Sequence, residues 1–230
     1  MRTPSNTPRL FLALLLCWAI GAVARAESLH CPERNAVVYY QNQEDAVTAC
    51  AAVEDSLAFL ADHGFRVDRQ LVISVVEPIS WLECGCAFGR FNAAEDRVQV
   101  LPYASCERLA DDIGVFGMPL TRKLYRSFFA HEIAHAVAQW NFQIPTPGVA
   151  AHEYIAYTTQ LATMAPRVRA QILDRFDVGA FTCDREISEV YLALGPEQFA
   201  VKAYRHFQQP GNGAQFLHRL LTQRLDSAPN

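Results

Sequence analysis

Phe128-Phe129-Ala130-His131-Glu132-Ile133-Ala134-His135-Ala136-Val137-Ala138 is the stretch on which the reading of this chain turns. Apolar throughout except at three positions, and free of proline and glycine, it predicts one buried helix carrying two His and a Glu. Residues four apart lie one turn apart on the same helical face, so His131 and His135 can offer two imidazole nitrogens to a single metal ion. Glu132 is rotated about 100° from His131, close to such an ion without having to bind it. With 7 His among 230 residues, chance alone places such a pentapeptide in roughly one sequence in a hundred, so the flanks carry the weight. An ordinary core helix excludes ionisable groups, yet these three sit among Phe128, Phe129, Ile133, Val137 and Trp140. A bound metal is an economical partner for them.

Outward from this helix, Thr121 is the expected N-cap, and the helical pattern runs to about Trp140 before Pro145, Pro147 and Gly148 break it. A second helix is expected from about Val149 to Met164. A catalytic zinc site usually has three protein ligands and an open fourth position. Glu153, in Ala151-His152-Glu153-Tyr154-Ile155-Ala156-Tyr157, lies 18 residues after His135, beyond a turn long enough to bring the next helix back beside the first. A carboxylate in that apolar stretch is the expected third ligand.

His131-Glu132-Ile133-Ala134-His135 together with Glu153-Tyr154-Ile155-Ala156 resembles the gluzincin branch of the zincin metallopeptidases, whose glutamate ligand comes from the helix after the HExxH helix. The resemblance extends over about residues 35 to 165. It implies a zincin-like fold, one Zn²⁺ ion held by His131, His135 and Glu153, and hydrolysis of peptide bonds in which Glu132 is the general base toward a zinc-bound water. It also implies a peptide or protein substrate captured along an edge strand, for which a strand of the hairpin from Ala87 to Leu101 is the candidate. The metzincin pattern HExxHxxGxxH is not met, because Ala138 and Asn141 stand where a Gly and a third His belong. Tyr157 stands where many gluzincins carry a carboxylate that orients a zinc-bound His, and its phenol could accept that imidazole hydrogen bond. Tyr157, Tyr191, Tyr204 and His206 are all candidates for stabilising an oxyanion, and no motif chooses among them. His152 adjoins Glu153 but points to another helix face. The alternative is a catalytically inactive zincin-fold binding protein or structural envelope protein, against which the intact Glu132 argues.

The first 26 residues read as an export signal: basic Arg2 and Arg9, an apolar run from Leu10 to Val23, and Ala24-Arg25-Ala26 as the cleavage site. Removing them leaves 17 basic and 24 acidic residues, a formal charge of −7, which suggests no nucleic-acid partner. No second long apolar segment follows, so no integral membrane segment is expected in the mature chain, and its place is the periplasm or the medium. Six Cys remain in it, and in an exported chain Cys31, Cys50, Cys84, Cys86, Cys106 and Cys183 are most simply read as three disulfides.

A strand over 36–40, a helix from about Glu44 to His63 stopped by Gly64, and a buried strand from Leu71 to Val76 follow from periodicity. Ala87 to Asn92 and Arg97 to Leu101 flank a four-residue turn and read as a hairpin. Further helices are expected near Arg167 to Phe176, Arg185 to Leu194, Glu197 to Gln208 and Ala214 to Leu225. The fold class is therefore α+β: one domain over 27–230, its sheet within about 35–118 and its helical part within about 119–226.

Overall fold

A computed structural model of the chain describes residues 27–77 and 88–225, so the expected signal segment and Cys84 and Cys86 lie outside the described residues. Five strands, β1 (Glu27–His30), β2 (Ala36–Tyr40), β3 (Leu71–Val75), β4 (Gly89–Asn92) and β5 (Arg97–Val100), form one sheet in the order β1-β2-β3-β5-β4. The middle three run parallel, and each outer strand is antiparallel to its neighbour. β4 is thus an edge strand and β5 an interior one. Val38, Ile73, Val98 and Val100 are fully buried, as strands covered by helices should be.

The crossover from β2 to β3 is α1 (Gln43–Asp62), whose start is capped by Asn42 Oδ1 accepting the N–H groups of Glu44 and Asp45 at 2.9 and 3.4 Å. It ends at Gly64, whose φ of +86° suits a residue without a Cβ. α2 (Tyr103–Ile113) follows the sheet, and then comes α3 (Arg122–Asn141), which carries the quoted stretch. Thr121 Oγ1 accepts the Leu124 N–H at 3.2 Å and caps it as expected.

The helical half continues with α4 (Val149–Thr163), α5 (Pro166–Arg175), α6 (Glu189–Leu194), α7 (Pro196–Phe207) and α8 (Gly213–Thr222). α3 is the centre of the molecule: it packs along α4, against α1, and under β4 and β5, while α7 covers the far side of α4. Phe129, Ile133, Ala134, Ala136, Val137 and Ala138 are wholly buried in this arrangement. The α+β architecture, sheet first and helices after, is the one read from the sequence.

Three details differ. β1 and α2 fall where no element was expected; β1 is a four-residue exposed-edge strand with no alternation to reveal it. The helix expected over Arg185 to Leu194 is a 3-10 turn (Asp184–Glu186) and the short α6, divided because Ser188 Oγ caps a new start at the Tyr191 N–H, 3.2 Å away. The expectation of three disulfides is corrected. Cys31 and Cys50 are bridged, whereas Cys106 and Cys183 are free thiols, the first buried and the second exposed. Cys106 lies on the core face of α2 with its thiol against the Leu101 carbonyl at 3.5 Å, which keeps it from a surface cysteine. Among the described residues no helix is long and apolar enough to cross a membrane.

Candidate metal centre

α3 and α4 lie side by side, and the turn over residues 142–148 brings Glu153 back opposite His131 and His135. Their ligand atoms converge. His131 Nε2 and His135 Nε2 are 3.1 Å apart, and the two carboxylate oxygens of Glu153 lie 3.4 Å from His131 Nε2 and from His135 Nε2 respectively. Three donors held at about 2.1 Å around a tetrahedral ion stand roughly 3.4 Å from one another, so the spacing fits a metal of zinc's size. Among the described residues this is the group of His, Cys, Asp and Glu able to hold a metal ion.

The chemistry of the donors points the same way. Ser127 Oγ donates to the Leu124 carbonyl at 2.7 Å and accepts from Gln160 Nε2 at 3.0 Å. That fixes the Gln160 amide so that its Oε1 faces His131 Nδ1 at 3.1 Å. An amide oxygen only accepts, so Nδ1 carries the hydrogen and, in the neutral ring, Nε2 presents its lone pair to Glu153. Acceptor then faces acceptor, an arrangement that requires a cation between them. Burial would lower the His131 pKa, yet the hydrogen bond and charge of Glu153 outweigh it and raise the ring above its ordinary value. Burial likewise works against the Glu153 carboxylate, but hydrogen bonds from His131 and His135 hold it well below the usual carboxylate range. In the bare chain a proton answers the demand that a metal ion would meet.

Glu132 leaves α3 on the neighbouring face, under β4, and is buried without joining the three. Burial pushes its carboxyl up from the ordinary value, against the pull of His131 and His135, and the backbone N–H of Phe91 in β4 is directed at it. The fit is close: a Cβ on Gly89 would stand 2.9 Å from Glu132 Cγ and 3.0 Å from the Gln99 carbonyl oxygen.

Of the four candidates for oxyanion stabilisation, Tyr157 alone lines the cavity that holds His131 and Glu132. Its ring meets His131 edge to face at 4.6 Å, and burial raises its phenol, which stays protonated and able to donate. The structure places the other three elsewhere. Tyr191 packs on Phe181 and Lys202, Tyr204 accepts from Gln208 at 3.0 Å, and His206 Nδ1 pairs with the Tyr154 phenol at 2.7 Å. The imidazole partner also differs from the one the gluzincin resemblance implied: Tyr157 meets His131 edge to face, and Gln160, one turn on, takes the hydrogen bond. Nothing in the sequence reading named Gln160 or Ser127, although each lies at helical spacing from a ligand: Gln160 two turns after Glu153 and Ser127 one turn before His131. His152 stands nearer than expected, its ring 6.0 Å from that of His135 and packed on Phe142. Burial and the His135 charge lower its pKa to about 4, so it is neutral near neutral pH.

Compared with known proteins, residues 36–226 match the model of one family, described as a family of unknown function, DUF6639. No curated protein and no solved structure matches the chain.

Proposed function

Because the chain belongs to DUF6639, a family of unknown function, its activity must be read from the site, and we propose that it is an exported zinc-dependent metallopeptidase. The observation that carries this reading is the convergence of His131 Nε2, His135 Nε2 and the Glu153 carboxylate at 3.1 to 3.4 Å, with an uncoordinated, buried Glu132 beside them. His131, His135 and Glu153 would hold the ion, leaving a fourth position open. When bound, zinc would supply Lewis acidity that polarises a peptide carbonyl and acidifies water.

The remaining work falls to side chains. Glu132, whose carboxyl burial raises from its ordinary value, would receive the proton of the attacking water and pass it to the departing amine. Gln160 and Ser127 keep His131 in the tautomer that ligates through Nε2. Tyr157 can donate its phenolic hydrogen to the oxygen on which negative charge develops. β4 is the edge strand beside Glu132 and is the candidate for pairing with an extended substrate. Export is supported by the signal-like leader in the sequence and the Cys31–Cys50 disulfide.

The first test is zinc per mole of purified protein with Glu153→Ala alongside, followed by cleavage of a peptide library by the wild type and Glu132→Gln. One equivalent of zinc, weakened by Glu153→Ala, with hydrolysis lost by at least about a hundredfold in Glu132→Gln while zinc is retained, is the expected outcome. Zinc bound but no peptide cut would favour a binding or structural protein built on the same site. No zinc at micromolar concentration would end the metal reading.

A further inference from the structure

The cavity beside the metal group bears on which peptides the site can take, a step that rests on the reading just given. It measures about 480 Å³ and has His131 and Glu132 in its wall. The rest of that wall includes five aromatic rings from five separate parts of the chain, beside Gln160 and the turn into α7 with Glu197 and Gln198. Phe88, just ahead of β4, stacks on Phe128 of α3 with centroids 4.5 Å apart and planes 5° from parallel. Phe116, between α2 and α3, meets Phe176, at the end of α5, edge to face at 6.3 Å. Tyr157 of α4 closes the side toward His131.

The charged groups in this wall already have partners. Glu197, in the first turn of α7, accepts the backbone N–H of Phe116, and Glu132 faces the Phe91 N–H and the metal group. Phe116 itself sits at φ +50°, between Gly114 at +69° and Gly117 at +60°. A phenylalanine in the left-handed region persists only where its surroundings hold it there. Here the Glu197 carboxylate holds the backbone and Phe176 receives the ring, so the loop keeps an aromatic side chain at the cavity.

We infer that this cavity is the pocket for a bulky apolar side chain, aromatic or large aliphatic, on the residue adjoining the scissile bond, and that Phe116 and Phe176 set this preference. A large apolar side chain removes its own surface and that of several rings from water. Alanine would leave the rings wet. Lysine would bring an ammonium to rings that attract cations only weakly, with the nearby carboxylates otherwise engaged.

Two measurements test this. Binding of the blocked peptides acetyl-Ala-Ala-X-Ala-Ala-amide, with X as Phe, Leu, Ala or Lys, is measured by calorimetry to the Glu132→Gln protein with and without zinc. Cleavage sites of the wild type are mapped in a random peptide library by mass spectrometry. Phe and Leu peptides are expected to bind at least about tenfold more tightly than Ala, and cuts to cluster beside Phe, Leu and Met. Phe176→Ala, at a partly exposed ring, is expected to flatten that preference, and Phe176→Trp to shift it toward smaller side chains. Peptides that bind without regard to X, cuts with no apolar preference, or a preference for Lys would each overturn the pocket. Apolar preference in binding with no cleavage by the wild type would overturn the peptidase reading and leave the pocket standing; cleavage without the preference would do the reverse.

Discussion

Gln160 shows how much of this site is decided one side chain at a time. Its amide is pinned by Ser127, and through it the proton of His131 is pinned to Nδ1. Gln160→Leu keeps the volume but removes both hydrogen bonds, so His131 is free to change tautomer and turn. Zinc affinity is expected to fall about 10- to 100-fold, read by competition with a chromophoric chelator; an unchanged affinity would mean that packing alone orients the ring. Gly89 constrains the other side of the site. Alanine there would press on Glu132 Cγ, Gln99 O and Val100 Cγ2 at 2.9 to 3.2 Å, and of these the Glu132 side chain gives most easily. Gly89→Ala is therefore expected to lower kcat by about a hundredfold with zinc content unaltered. Loss of zinc in that variant would show instead that α3 itself had moved.

At the scale of elements, the site is as good as the seating of α3. Its C-terminal end is held by Asn141, whose side chain accepts the Arg66 N–H at 2.8 Å and donates to the Arg66 and Val137 carbonyls at 2.9 and 2.8 Å. This clamp joins the segment after α1 to the end of α3 across 75 positions of sequence. Asn141→Ala leaves the Arg66 groups unpaired at a buried side chain's former place, so a loss of about 1–3 kcal/mol is expected, seen as a lower urea midpoint. Zinc stoichiometry should survive, because His131 and His135 lie on earlier turns of α3 and Glu153 on α4. In the sequence Asn141 served only to exclude a third His; its structural task depends on a segment that folding alone brings beside it.

The whole molecule divides its supports. The Cys31–Cys50 bridge ties the end of β1 to α1 with a sequence separation of 19; neither element carries His131, His135 or Glu153, although α1 packs against α3. Replacing both by Ser is expected to cost about 2–4 kcal/mol of stability, measured by denaturant unfolding, and to leave zinc affinity unchanged. A shift in affinity would mean that the sheet and the metal helix are coupled more tightly than their separate anchors suggest. By itself the sequence determined the helix that carries His131 and His135, its cap at Thr121, Glu153 as partner on the next helix, most of the element order and the α+β class. Those are legible because helical period, capping and chain-breaking act within a few residues of each position. Only the tertiary structure decided that β4 rather than β5 is the edge, that Gln160 rather than Tyr157 accepts the hydrogen bond from His131 Nδ1, that Tyr157 alone of four candidates reaches the cavity, and that Cys31 pairs with Cys50 while Cys106 stays buried and free. Each of those depends on side chains meeting across tens of residues, and the directions in which packed elements face one another are set by the core as a whole, not by local pattern.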